Sequence, residues 1–224
     1  MLKQVLIEDR SSVLAVEGSM KRRVFLRLFV LFLACALIAV PALAKKKPKS
    51  TEPGKYKDWH GDIDVIEILE KFSMADYNKI VVTGFDSTDV ELPDKDDNTY
   101  EPVKEVLKDT TSAFVEGLRG KLEKEGVTVE AGEGGGAGTL VISGTVVEMD
   151  PGSRAARYWG GFGAGAARGH LEIIVKDGGT GNTLLKIDQE RRSGFGGFGG
   201  DYVGLMNKNL KAIGKDMALV FDQF

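Results

Sequence analysis

The alternation of apolar and polar residues divides the chain into a small set of elements. Residues 79–85 (KIVVTGF) are a β-branched run closed by polar residues, which predicts a buried strand. Over residues 101–125, Val103, Leu107, Thr110, Phe114, Leu118 and Leu122 recur every three or four positions with charged residues between them. That spacing predicts an amphipathic helix, which Gly126 stops. Residues 127–130 and 139–150 predict strands on either side of a glycine-rich turn at 132–138. In the second of them, Leu140, Ile142, Gly144 and Val146 share one face. Leu171, Ile173 and Val175 alternate with His170, Glu172, Ile174 and Lys176, and residues 183–191 supply the next strand. The intervening Asp177-Gly178-Gly179-Thr180-Gly181-Asn182 is turn chemistry, so the two strands form a hairpin.

Asp201 is placed to cap a last helix, whose stripe is Met206, Leu210, Ile213, Met217, Val220 and Phe224. Residues 63–72 read two ways. Ile63, Ile66, Leu69 and Phe72 fall at helical spacing, while Ile63, Val65 and the 66–69 run also suit a strand; the expectation taken here is a short helix. The order β-α-β-β-β-β-α predicts an α+β two-layer sandwich, a mostly antiparallel sheet of about five strands with two main helices on one face.

Ahead of these elements the pattern changes. Lys21, Arg22, Arg23 and Arg27 precede the apolar run 28–40, and Ala42 and Ala44 stand at small-x-small positions before three lysines. These are the parts of a secretory signal peptide. The expected organisation is a non-native extension at 1–19, with Met20 the natural start, a signal peptide at 20–44 cleaved after Ala44, a flexible tether at 45–60 and a single domain at 61–224. The mature chain is then exported, to the periplasm or the outer membrane. Cys35, the chain's one cysteine, would leave with the signal, so no internal disulfide is expected. The alternative is that Cys35, after Phe32-Leu33-Ala34, is acylated and anchors an outer-membrane lipoprotein.

The chain carries 30 Lys+Arg against 33 Asp+Glu. Its acidic balance argues against a nucleic-acid partner. Residues 151–200 reverse the balance, with seven basic against four acidic residues, so any anion site belongs there. Two glycine segments fall in the same region, one containing Tyr158, Trp159 and Phe162, the other Phe195 and Phe198. If the hairpin turns near Thr180, Gly169 lies opposite Arg191 and both segments leave the same end of the sheet. The candidate partner-binding set is therefore Arg154, Arg157, Tyr158, Trp159, Phe162, Arg168, Arg191, Arg192, Phe195 and Phe198. Its expected occupant is an envelope protein, an anionic envelope polymer or a lipid headgroup.

Gly144-Thr145-Val146, then Asp150-Pro151-Gly152-Ser153-Arg154, Arg157-Tyr158, Gly161-Phe162-Gly163-Ala164-Gly165, Val175-Lys176-Asp177 with Thr180-Gly181, and Gly199-Gly200-Asp201 form a chained signature. On these motifs the sequence resembles the secreted bacterial family catalogued as domain of unknown function 4410, over most of residues 79–224. The resemblance implies an envelope protein and supplies no reaction.

Sharper chemistry finds less support. Gly161-x-Gly163-x-Gly165 is followed by a strand, where a phosphate loop requires a helix N-terminus. Asp94-Lys95-Asp96-Asp97-Asn98 with Glu105 partly matches a calcium loop, but Thr99 replaces the turn glycine, so a solvated acidic loop is expected. His60 and His170 are the only histidines, no serine sits in a nucleophile elbow, and His170 is read as a strand residue with a satisfied ring. The expectation is a non-enzymatic domain with no catalytic residues, no cofactor and no metal; a hydrolase acting on an envelope polymer is the remaining alternative.

Overall fold

Seven strands form one mixed sheet in the order β1-β2-β7-β6-β5-β3-β4. The structure is a computed structural model that describes residues 50–59, 63–153, 165–193 and 201–224. Residues 48–224 make one compact unit; residues 1–47, which hold the expected signal peptide and Cys35, lie outside the described residues. The strands are β1 (Gly54–Trp59), β2 (Ile63–Ile68), β3 (Lys79–Asp86), β4 (Thr128–Ala131), β5 (Thr139–Asp150), β6 (Ala167–Asp177) and β7 (Thr183–Ser193). Helices α1 (Tyr100–Leu122) and α2 (Tyr202–Phe221) complete the fold.

The α+β architecture is as read from the pattern, and the strand count is not. Residues 63–72 are not a helix. Ile63, Ile66 and Ile68 are buried in β2, which is hydrogen-bonded on both sides, to β1 and β7. Leu69, which the helical spacing would bury, is 37% exposed. The tether expected over residues 45–60 also ends early, because Gly54–Trp59 is an edge strand. Trp59 holds it down: the ring is buried and Nε1 donates to the Ser50 carbonyl at 3.2 Å. Lys55 and Lys57 are spaced along this edge, where charge discourages pairing with another chain.

The other departure from the expected sheet is its mixed pairing. β3 runs parallel to both β4 and β5, because α1 carries the chain back across the sheet between β3 and β4. The remaining ladders are antiparallel.

α1 buries Val103, Thr110, Phe114, Leu118 and Leu122 as its spacing predicts, with Val106 and Ala113 alongside and Leu107 only half-buried. A 3₁₀ turn over Glu123–Glu125 extends it, and Gly126 closes that turn at φ 86°, a left-handed conformation that favours glycine. Asp201 caps α2 by accepting from the Gly204 amide, and the stripe from Met206 to Val220 is buried. The two helices pack on each other at two glycines. A Cβ on Gly117 would stand 2.1 Å from the Lys211 carbonyl oxygen, and one on Gly214 would stand 2.2 Å from that of Phe114. Ile80, Val82, Leu140, Ile142, Leu171, Ile173 and Val175 meet this helix layer, while the alternate positions on the other sheet face mix charged residues with Val65, Val81, Val141 and Ile174. Among the described residues no helix is long and apolar enough to cross a membrane.

Candidate functional site

The β6–β7 hairpin pairs Gly169 with Arg191 and Ala167 with Ser193, the register inferred from the turn. The two glycine-rich segments therefore join the sheet at neighbouring strands, one shortly before Ala167 and the other directly after Ser193. Arg154, Arg157, Tyr158, Trp159, Phe162, Phe195 and Phe198 lie in those segments, outside the described residues.

The Asp150-Pro151-Gly152-Ser153 motif prepares the first attachment. The Asp150 carboxylate accepts from the Gly152 amide at 2.7 Å, and the Ser153 amide donates to the Gly165 carbonyl at 3.1 Å. Ser153 and Gly165 are thus held together across the eleven intervening residues. Gly152 is required for this: its φ is 69°, and a Cβ there would lie 2.3 Å from the Gly165 oxygen.

The three described arginines of the candidate set do not share one rim. Arg168 and Arg192 are cross-strand partners on the sheet face away from the helices. Arg168 pairs with Glu148 at 3.6 Å and Asp150 at 3.8 Å, and Arg192 pairs with Glu190. The Arg192 hydrogen bond, more than any other influence, holds the Glu190 carboxyl below its ordinary range. Arg191, one residue along an alternating strand, turns to the helix side. Its Nε donates to Asp216 on α2 at 2.5 Å, and the same carboxylate oxygen accepts from Gln189 at 3.1 Å. Alternation along a strand required this split, so Arg191 is an internal tie and not part of the expected cationic surface.

A cleft of about 710 Å³ lies at this end of the sheet, with Asp97, Thr99, Asp150, Ser153, Arg168 and Arg192 among its walls. Its acidic wall comes from the loop between β3 and α1, which the sequence predicts as a solvated acidic loop without placing it beside this end of the sheet. The parallel pairing of β3 with β5 brings that loop to the end where β5 finishes, and the pairing has no short-range signature. Asp97 is committed there: its Oδ1 accepts from the Thr99 amide at 2.7 Å and the Thr99 hydroxyl at 2.6 Å, which lowers its carboxyl pKa.

One further cluster faces solvent beside the Arg168–Arg192 rung. Glu148, His170 and Glu190 offer donor atoms that all lie within 4.8 Å of one another. The His170 ring is satisfied as expected, by a 2.6 Å hydrogen bond between Nε2 and Asp188 Oδ1.

Residues 80–197 match the family model described as "Domain of unknown function (DUF4410)". The chain belongs to that family. The DUF4410 span takes in most of β3, all of α1 and β4 through β7, and every cleft residue named above. β1, β2 and α2 lie outside it. No curated protein matches the chain. Among solved structures, it is similar to the PelC dodecamer from Paraburkholderia phytofirmans, at 13% identity and a TM-score of 0.40, covering 67% of this chain and 96% of that one. A single-substitution variant of that dodecamer in another crystal form gives 14% identity and a TM-score of 0.40, over 68% and 95% of the two chains.

Proposed function

We propose that this chain is an exported, non-catalytic cell-envelope domain that binds an envelope protein through the glycine, aromatic and arginine end of its sheet. The observation that carries the reading is the pairing of Ala167 with Ser193 beside the Ser153–Gly165 clamp. The points at which two segments rich in glycine and aromatic residues join the sheet are thereby side by side, on long central strands, next to an open cleft. Rigid strands carrying variable aromatic loops are a common platform for recognition. Export is supported by the basic, apolar and small-residue succession over residues 20–44.

The non-catalytic half of the reading rests on how the cleft's charged groups are employed. Asp97 brackets the start of α1, Asp150 holds the Gly152 turn, and Arg168 is balanced by Glu148 and Asp150. Each of these serves the scaffold. The test is co-fractionation of the full-length chain with envelope membranes when Trp159, Phe162, Phe195 and Phe198 are all changed to Ser. The expected result is release of the variant into the soluble fraction with its thermal transition unmoved. Unchanged co-fractionation would overturn the reading.

A further inference from the structure

Glu148, His170 and Glu190 stand in one row across β5, β6 and β7, with Glu148 opposite His170 and His170 opposite Glu190. We propose that this row is a binding site for a divalent transition-metal cation of the zinc type.

The backbone is arranged to make the row. Val146 pairs with Leu171, and without an irregularity Val147 would then face His170 while Glu148 turned toward the helices. A bulge between Val146 and Glu148 shifts the register by one residue, so Glu148 faces solvent opposite His170. Bulges characteristically re-aim a side chain in this way. The displaced Val147 is left 43% exposed, an apolar cost at the surface that the bulge accepts.

The donor set fits the ion. One imidazole and two carboxylates, all half-buried, have donor atoms within 4.8 Å of one another. A tetrahedral ion with ligands near 2.0–2.2 Å needs those atoms about 3.4 Å apart, which rotation of two glutamate side chains supplies. Asp188 holds one edge of the His170 ring through Nε2, the carboxylate–imidazole arrangement that commonly orients a metal-ligating histidine.

The surrounding charge favours a cation. Asp64 accepts from the Glu190 amide at 2.8 Å, and Asp64, Asp150 and Asp188 add to the two glutamates. Against these carboxylates stand two guanidiniums, Arg168 and Arg192. Their pairs with Glu148 and Glu190 are surface contacts of small net worth, and each glutamate has a second oxygen to offer a metal.

The test uses the untagged full-length chain, stripped with chelator and titrated calorimetrically with Zn²⁺, with Mg²⁺ as comparator. One saturable Zn²⁺ site is expected, with little Mg²⁺ response because an imidazole ligand disfavours that ion. His170→Asn and Glu148→Gln should each weaken Zn²⁺ binding at least tenfold, and Asp188→Asn about tenfold. His60→Asn, which removes the only other histidine, should leave binding unchanged. Cobalt substitution should give a visible absorption band that His170→Asn abolishes. Absence of saturable Zn²⁺ binding, or wild-type affinity in both the His170 and Glu148 variants while circular dichroism shows them folded, would overturn the proposal.

Discussion

Arg191 on β7 donates from Nε to the Asp216 carboxylate on α2 at 2.5 Å, so the strand that leads into the second glycine segment is tied to the helix layer. Asp216 is only 8% exposed and also accepts from Gln189, whose amide oxygen in turn accepts from the Asp64 amide at 2.9 Å. The network spans β2, β7 and α2. Asp216→Ala strands a guanidinium and an amide beside the core and should cost about 3 kcal/mol, read from urea denaturation.

The helix crossing gives an opposed pair of predictions. Gly117→Ala places a methyl against the Lys211 backbone and should destabilise the fold by about 3 kcal/mol or more, because main chain cannot yield as a side chain can. Gly120→Ala lies in the same helix with nothing within 4 Å of the added carbon, and should stabilise by about 0.5–1 kcal/mol. Thermal melts of the two variants should move in opposite directions.

The far end of the hairpin should respond to acid. Asp177 accepts from the Tyr77 hydroxyl at 2.7 Å and from the Thr180 and Gly179 amides at 2.6 and 2.9 Å. These bonds, the Tyr77 hydroxyl first, hold its carboxyl below the ordinary value of 3.8. A lowered native pKa means that the unfolded chain takes up this proton first as pH falls. The stabilising contribution is therefore complete above the ordinary value and is lost as pH drops through the lowered one. In a carboxyl NMR titration, Tyr77→Phe should move the Asp177 midpoint upward. Asp177→Asn should flatten the acid limb of the stability profile.

Local chemistry in the sequence was enough to locate α1, α2, β3, β5 and the β6–β7 hairpin, because each is an amphipathic or alternating run bounded by its own turn or cap. Gly126, Asp201 and the Asp177–Asn182 turn are such signals, and each sits in the structure where the pattern placed it. The turn even fixed the Gly169–Arg191 register. Harder to read were features decided by distant partners. Ile63–Ile68 is a strand because β1 and β7 flank it, and Gly54–Trp59 joins the sheet because Trp59 finds the core. At the candidate site, strand alternation separates Arg191 from Arg168 and Arg192. The bulge that brings Glu148 to His170 leaves no mark in a two-residue period.

The proposed export makes a prediction of mass. The chain recovered from the envelope should begin at Lys45 and lack Cys35, which mass spectrometry of the purified protein reads directly. A mature N-terminus at an acylated Cys35 would instead select the lipid-anchored form.

Site-specific photo-crosslinking in intact cells asks whether the two glycine segments meet an envelope protein. A photoreactive residue in place of Trp159 or Phe195 should capture a discrete envelope protein, whereas one in place of Lys124, past the C-terminal end of α1 at the opposite end of the sheet, should capture none. Equal capture from all three positions, or no capture from Trp159 and Phe195, would contradict the account.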